Sequence, residues 1–277
     1  MEQQQQQGGG CFVTVMMVVV VFLVLLCGIV VVWKRQHHMW CRSSTALSYD
    51  SANRLFGSGN ITTDAGSRDL GDGTLIVLRV ENSDPPVLVG DGFLSKEECL
   101  QLIKEYEHLL NRSTVYGKDG QHDIDDSRTS HTSFLPAGEP GTLLERVEKR
   151  AATLLSVPLA HIETLQLLRY EPSQRYNAHH DFFTEGPDAA NNRIKTALIY
   201  LNDLESDDEG GGTEFPEINI EIRPKTGRVV VWQNCDAEKG KAATAENCDK
   251  RTLHAGLPTH KSIKFALNAW VRNIPVR

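Results

Sequence analysis

The sequence predicts a mainly β, α+β domain with helices packed on one side, preceded by one transmembrane helix. Three observations support this prediction. A long apolar run lies near the amino terminus, two helical patterns with capping signals follow it, and short β-rich segments separated by turns begin after Pro158. Helices followed by strands favour a β core with a separate helical layer.

The amino-terminal apolar run is long enough to cross a membrane. Residues 11–33 contain no charged side chain over 23 positions, and about 20 apolar residues span a bilayer as a helix. A cleaved signal peptide is the alternative, but it would begin with a basic segment, and residues 1–10 contain neither Lys nor Arg. We therefore expect a short tail over 1–10 and an uncleaved signal anchor over 11–33.

Two features disagree about the orientation of this anchor. Lys34, Arg35 and Arg42 follow the span, and by the positive-inside rule they place the large domain in the cytosol. The sequons at Asn60 and Asn111 matter only in a lumen, where they predict glycosylation. The residues alone leave the orientation open.

The remaining chain divides into a stem and a domain. Residues 34–84 are rich in Ser, Gly, Asn and Asp without a sustained apolar period, which predicts a flexible stem. Within the predicted domain, over 85–277, Ser95 with Glu98 and Thr142 with Glu145 form capping-box patterns before apolar residues at helical spacing. Segments rich in β-branched and aromatic residues then predict strands over 165–170, 196–201, 218–222, 228–232 and 264–271.

Composition excludes several classes of protein. The chain has 29 Lys and Arg against 36 Asp and Glu, a net charge of −7, which argues against a nucleic-acid partner because such proteins normally carry a basic surface. Six cysteines in 277 residues are too few for a small disulfide-built scaffold.

A metal site is suggested by His179 and Asp181. In an extended segment, residues i and i+2 point the same way, so these two side chains can bind one ion. A distant histidine, for which His254 is the candidate, would complete the 2-His-1-carboxylate set of non-haem iron oxygenases. Such a pair is weak evidence by itself: His161 and Glu163 share the spacing, and we interpret them as the start of a strand.

Lys264 begins an alternating strand ten residues after His254. A lysine in this position is usually a solvated strand end. Beside an iron site, however, its cation is suited to hold the carboxylate of a co-substrate.

The stretch LQLLRYEPSQRYNAHHDFF at 165–183 resembles the core motif of prolyl 4-hydroxylase catalytic subunits, which are Fe(II)- and 2-oxoglutarate-dependent dioxygenases. The resemblance covers about residues 87–272 in unbroken order. Its further motifs are FLSKEEC at 93–99, SRTS at 127–130, RIKTALIYL at 193–201, EGGGTEFP at 209–216, PKTG at 224–227, LHAGLP at 253–258 and the strand 264–270.

The resemblance implies a double-stranded β-helix, or jelly-roll, with helices packed outside. It also implies that the iron ligands of the catalytic centre are His179, Asp181 and His254. The implied contacts to the distal carboxylate of 2-oxoglutarate are Lys264, Tyr170 and Thr213. The implied contacts near the substrate proline are Tyr176, Arg193 and Trp270. For Arg193 a plain surface ion pair is the alternative, and for both aromatic residues it is ordinary core packing.

The implied reaction is hydroxylation of peptidyl-proline to 4-hydroxyproline in secretory-pathway proteins. It consumes O2 and 2-oxoglutarate, releases succinate and CO2, and has ascorbate as the implied reductant. Membrane-anchored relatives in plants and algae are commonly type II proteins. Together with the two sequons, this favours a lumenal catalytic domain in the endoplasmic reticulum or Golgi.

The chain departs from the family pattern at four places, none of which removes a ligand. Ser173 replaces a glycine, Ala178 replaces a proline, 257–259 replaces a Cys-Pro-Val sequence, and 262–263 replaces the glycine before Lys264. These differences affect the expected peptide preference and loop shape more than the reaction.

Other interpretations remain open. The same chemistry can act on another amino acid or on a cytosolic regulatory protein, and a non-catalytic membrane-tethered binding module is a further possibility. Cys235 and Cys248 bracket a polar loop, so in an oxidising lumen they are expected to form a disulfide, whereas in a cytosol they would be free thiols. A zinc site formed by Cys248, His254 and His260 is a weaker alternative because paired C-x-x-C spacing is lacking.

Overall fold

The computed structural model of the protein describes residues 67–117, 120–206, 209–236 and 243–277. This part of the chain is mainly β. Its helices are α1 (Lys96–Tyr106) and α2 (Leu143–Leu155). Its strands are β1 (Ser67–Asp69), β2 (Leu75–Ser83), β3 (Pro86–Gly90), β4 (Asn111–Arg112), β5 (Val115–Tyr116), β6 (His122–Asp123), β7 (His131–Phe134), β8 (Gln166–Tyr170), β9 (Tyr176–His179), β10 (Arg193–Tyr200), β11 (Thr213–Phe215), β12 (Ile220–Ile222), β13 (Val229–Gln233), β14 (His254–Gly256) and β15 (Lys264–Arg272).

The strands of the described chain form a large sheet, a small sheet and a separate β5–β6 hairpin. The large sheet has nine strands in the order β1-β2-β3-β13-β10-β15-β8-β7-β4, and the small sheet has four in the order β12-β11-β14-β9. All of the pairings are antiparallel. The five predicted strands are present as β8, β10, β12, β13 and β15, while the other ten strands of the described chain, including β9, β11 and β14 near the site, were not predicted.

Alternation along the strands produces three layers. In β10, Ala197 and Ile199 belong to an apolar cluster with helices α1 and α2, whereas Leu198 and Tyr200 belong to a second cluster that includes Phe215 of the small sheet. Side chains of successive strand residues point to opposite faces, so the large sheet lies between the helices and the small sheet. The residues of the functional site lie between the two sheets.

The predicted capping patterns explain where both helices begin. The Glu98 amide donates to the Ser95 hydroxyl at 3.2 Å, and the Ser95 amide donates to Glu98 Oε2 at 2.9 Å, which completes a capping box. At α2 the Glu145 amide donates to the Thr142 hydroxyl at 3.3 Å. The Glu145 carboxylate, however, accepts from the amide of Gly141 rather than from that of Thr142, so only half of the second box forms.

The expected stem boundary at residue 85 was wrong. Strands β1 and β2 lie within the range assigned to the stem, and β2 pairs with β3 inside the large sheet. The loop between them is held by Asp72, whose carboxylate accepts from Arg150 Nε at 2.7 Å. These strands also precede both helices, so the predicted order of helices before strands does not hold at the start of the domain.

No helix among the described residues is both long and apolar enough to cross a membrane. The predicted tail at 1–10, the predicted anchor at 11–33, the first part of the stem and the sequon at Asn60 lie outside the described residues.

Candidate active site

Three predicted ligands meet at one edge of the small sheet. His179 ends β9, Asp181 follows it, and His254 begins β14 directly opposite His179 in the strand pairing. The carboxylate oxygens of Asp181 lie 3.8 Å from His179 Nε2 and 3.7 Å from His254 Nε2. One donor atom from each of the three residues lies within 4.8 Å of the others.

Hydrogen bonds made by Nδ1 leave Nε2 of both His179 and His254 available to bind a metal ion. Nδ1 of His179 donates to the carbonyl of Asn177, and Nδ1 of His254 donates to the carbonyl of Thr252, both at 2.9 Å. A carbonyl can only accept, so Nδ1 carries the proton and the lone pair lies on Nε2, facing Asp181. Burial, aided by the neighbouring His254, lowers the pKa of His179 well below its usual value, which favours the neutral ligand form.

Asp181 is held as a buried carboxylate. Burial by itself would raise its pKa, but His254, His179, Arg193 and the bond from Thr196 favour the charged form and bring the pKa below its usual value. Two neutral imidazoles and one carboxylate are the donor set that suits Fe(II) in a facial triad. The residues present therefore fit the predicted metal.

A relay of two buried polar side chains orients Asp181. The hydroxyl of Thr196 donates to Asp181 Oδ2 at 2.6 Å, and the side-chain amide of Asn234 donates to that hydroxyl at 2.9 Å. The sequence analysis assigned no role to Thr196 or Asn234, because no motif spacing links residues on β10 and after β13 to a ligand that follows β9. Such contacts fix the orientation of metal ligands.

Lys264 supplies a buried cation on the neighbouring sheet. Its side chain is 2% exposed, and Nζ donates to the carbonyl of Gly211 at 2.6 Å. No acidic side chain in the described chain forms a salt bridge with it; burial lowers its pKa to about 7, and the charge of Glu221 opposes this only in part. A buried ammonium without a counter-charge is costly, so the site fits a ligand that brings its own carboxylate.

The two other predicted co-substrate residues lie beside Lys264. Tyr170 is the partner of Lys264 across β8 and β15, and its ring centroid is 5.0 Å from Nζ. Thr213 lies in β11, with its hydroxyl 2.6 Å from that of Tyr200. Burial raises the pKa of both tyrosines, which keeps them as neutral hydrogen-bonding groups. Tyr200 is a neighbour of this group that was not predicted as a site residue.

One cavity of about 900 Å³ joins the metal ligands, Lys264 and the predicted substrate contacts. Tyr176 stacks on His179 with ring centroids 3.6 Å apart. The guanidinium carbon of Arg193 lies 3.5 Å from the ring centroid of Trp270. The cavity therefore presents an aromatic and cationic wall next to the ligand cluster.

Arg193 also forms the ion pair that was considered as its alternative role. Its Nε and Nη2 atoms donate to the two carboxylate oxygens of Glu163 at 2.8 and 2.9 Å, and Arg272 Nε lies 2.7 Å from Glu163 Oε1. Glu163 lines the cavity, a position that its interpretation as the start of a strand did not suggest. His161 lies in a short 3-10 turn, where its Nδ1 is 2.9 Å from the carbonyl of Arg272.

The predicted Cys235–Cys248 disulfide is present, which confirms this pairing. It also makes the zinc alternative wrong, because the Cys248 sulfur is already bonded and the metal-ligating cluster in the described residues contains His254 without His260. Asn111 is exposed on β4, and its side-chain amide donates to the carbonyl of Leu109 at 2.9 Å; its glycosylation stays a prediction.

Comparison with known proteins agrees with this geometry. Residues 165–272 match the 2OG-Fe(II) oxygenase superfamily. The chain is 31% identical over 208 residues to probable prolyl 4-hydroxylase 3 of Arabidopsis thaliana, covering 68% of this chain and 69% of the relative. It is 32% identical over 230 residues to prolyl 4-hydroxylase 1 of the same plant, covering 74% and 78%.

A solved structure shares the fold. The viral collagen prolyl hydroxylase vCPH from Paramecium Bursaria Chlorella virus-1, in its 2OG complex, is 26% identical with a TM-score of 0.53, covering 68% of this chain and 96% of the viral chain. With the His179, Asp181 and His254 cluster and the buried Lys264, these matches show that the chain belongs to the prolyl 4-hydroxylase family of 2-oxoglutarate- and iron(II)-dependent dioxygenases.

Proposed function

We propose that this protein hydroxylates peptidyl-proline to 4-hydroxyproline. One oxygen atom of O2 enters the prolyl C–H bond as hydroxyl, and the other enters succinate as 2-oxoglutarate loses CO2. The observation that carries the proposal is Lys264, a buried cation without a described acidic partner that shares one cavity with the three metal ligands. The relatives named prolyl 4-hydroxylase support proline as the target.

The metal and the co-substrate would be held by separate groups. His179, Asp181 and His254 would hold Fe(II), which when bound supplies the oxidative chemistry that couples decarboxylation to hydroxylation. Lys264 would bind the distal carboxylate of 2-oxoglutarate, with Thr213 and Tyr170 beside it. Because the distal carboxylate would pair with Lys264 on the large sheet, the keto-acid end of 2-oxoglutarate would face the metal ligands on the small sheet.

The predicted substrate contacts would orient the prolyl ring. Tyr176 and Trp270 offer aromatic faces against which a pyrrolidine ring packs. Glu163 holds the guanidinium of Arg193 in a fixed position, so its remaining N–H groups are oriented before the peptide arrives. Ligand, peptide and cavity walls together would exclude water from the reacting atoms.

The test is turnover by the full-length protein with Fe(II), 2-oxoglutarate and proline-containing peptides. We expect succinate release coupled to a peptide mass gain of one oxygen atom on proline, and loss of both in His179→Ala. Gain of oxygen on another amino acid in a peptide library would replace proline as the target. Metal-loaded protein that releases no succinate with any peptide would favour a non-catalytic binding module.

We also propose a membrane-anchored, lumenal enzyme with a jelly-roll core. The uncharged run at 11–33, the sequons at Asn60 and Asn111 and the Cys235–Cys248 disulfide support this location, because disulfides persist in oxidising compartments. The two facing sheets support the jelly-roll assignment, and the family resemblance supports ascorbate as reductant. Glycosidase-sensitive mass is the expected result, whereas a protease-accessible domain on intact microsomes would reverse the orientation.

A further inference from the structure

The Cys235–Cys248 disulfide joins two segments that both reach the ligand cluster. Cys235 follows the end of β13, and Cys248 lies in the segment that leads to β14. The junction is reinforced by the main chain, since the amide of Asp249 donates to the carbonyl of Asn234 at 2.8 Å. The cross-link therefore fixes the start of one segment against the end of the other.

The segment after Cys248 supports the histidine side of the site. The carbonyl of Thr252 accepts the Nδ1 proton of His254 at 2.9 Å. The carbonyl of Lys250 accepts a hydrogen bond from Nε2 of His180, the residue between the two ligands at the end of β9, also at 2.9 Å. Residues 250–252 thus set the orientation of His254 and hold the segment that carries His179 and Asp181.

The residue before Cys235 supports the carboxylate side. Asn234 is the first member of the relay through Thr196 to Asp181, and both relay residues are fully buried. The single hydroxyl proton of Thr196 is used on Asp181, so that hydroxyl accepts from the Asn234 amide. Displacement of Asn234 would break its hydrogen bond to the Thr196 hydroxyl and leave both of these buried groups without that partner.

We propose that the Cys235–Cys248 disulfide is a positioning element of the iron site. It holds the carbonyl that orients His254 and the amide that orients Asp181 at a fixed separation, so the three donor atoms are arranged before metal binds. This inference rests on the proposed iron-dependent function. It differs from a general role of the disulfide in stability because it predicts a change in metal affinity.

The experiment measures metal binding rather than turnover. Fe(II) affinity is determined anaerobically by competition with a chelator for the full-length protein, for Cys235→Ser/Cys248→Ser and for Asn234→Ala. The absorption spectrum of the Co(II)-substituted protein reports the ligand geometry. Because removal of groups that orient metal ligands typically lowers affinity about 10- to 100-fold, we expect losses of this size in both variants, with an altered Co(II) spectrum.

Leu102→Ala is the control for stability. Leu102 is buried in α1 within the helix-side apolar cluster and touches none of the site, so this variant should melt at a lower temperature and bind Fe(II) as the wild type does. Wild-type affinity in the cysteine variant would overturn the proposal. If that variant does not fold, Fe(II) affinity of the folded wild-type protein before and after reduction of the disulfide decides in its place, and unchanged affinity after reduction would overturn the proposal. Asn234→Ala, which keeps the disulfide, tests the relay alone. Wild-type protein that binds no Fe(II) would instead overturn the proposed function, before any variant is compared.

Discussion

The ammonium group of Lys264 donates a 2.6 Å hydrogen bond to the main-chain carbonyl of Gly211, which joins β15 of the large sheet to the loop that leads into β11 of the small sheet. A neutral carbonyl satisfies one N–H group but does not compensate a buried charge. The pKa of about 7 expresses this deficit. A carboxylate that enters the cavity would complete the pair and restore a charged lysine.

We therefore predict that affinity for 2-oxoglutarate falls as pH rises above about 7. The anion binds the protonated lysine, so above the pKa of Lys264 each binding event takes up a proton, and the Kd should rise about tenfold per pH unit. By the same linkage, the unliganded protein should gain stability from about pH 7 to about pH 10, where only the unfolded chain holds this proton. Calorimetric titration of metal-loaded protein with 2-oxoglutarate at several pH values from about 7 to about 10 measures the slope of the Kd with pH.

Lys264→Arg is the matched control for this prediction. Arginine keeps its proton throughout the range, so the variant should bind 2-oxoglutarate more weakly but without the pH slope. An equal slope in wild type and Lys264→Arg would assign the titration to another group.

The metal ligands and Lys264 were predictable because short-range geometry and motif spacing determine them. His179 and Asp181 lie two positions apart in a segment expected to be extended, Lys264 stands at the start of a strand that the alternating pattern predicts, and His254 lies in the family motif at 253–258. For these residues the local backbone decides which way the side chain points.

The remaining features depend on contacts between distant parts of the chain. Strand β2 alternates exposed and buried residues, but Gly, Asp and Ser on both sides of it gave the whole region the composition of a stem. Its ordered position depends on pairing with β3 and on the Asp72–Arg150 contact between residues 78 positions apart. The Asn234–Thr196 bond likewise joins residues 38 positions apart, and single-sequence spacing carries no signal for it.

Arg193 should control peptide affinity rather than co-substrate affinity. Its two bonds to Glu163 and its position 3.5 Å from the Trp270 ring need a planar guanidinium. We expect Arg193→Lys to raise the peptide KM about 10- to 100-fold, the equivalent of one hydrogen bond to a charged group. Steady-state kinetics should show an unchanged KM for 2-oxoglutarate, and the exposed change Arg79→Lys on β2 should alter neither constant.

Glu209 should position Lys264 through the loop between the second histidine and the lysine. Its Oε2 atom accepts from the amides of Lys261 and Ser262, both at 2.9 Å. Glu209→Ala leaves the buried Ser262 amide without its acceptor, so we expect the KM for 2-oxoglutarate to rise about tenfold with an unchanged peptide KM. Glu209→Gln keeps an acceptor oxygen and should show a smaller effect, whereas equal changes in both KM values would contradict this role.

Arg150 should make a large contribution to stability outside the site. Its guanidinium is nearly buried and donates to Asp72 at 2.7 Å, to Glu98 at 2.8 Å and to the carbonyl of Phe93 at 3.2 Å, so it joins the β1–β2 loop to both helices. Loss of one partner of a buried ion pair costs about 3–5 kcal/mol, and we expect Arg150→Leu to lower the free energy of unfolding by this amount in urea denaturation. The neighbouring Lys149→Leu removes only an exposed pair within α2, so it should leave the free energy of unfolding nearly unchanged. Similar losses in the two variants would show that the contact with Asp72 does not hold the amino-terminal strands in the domain.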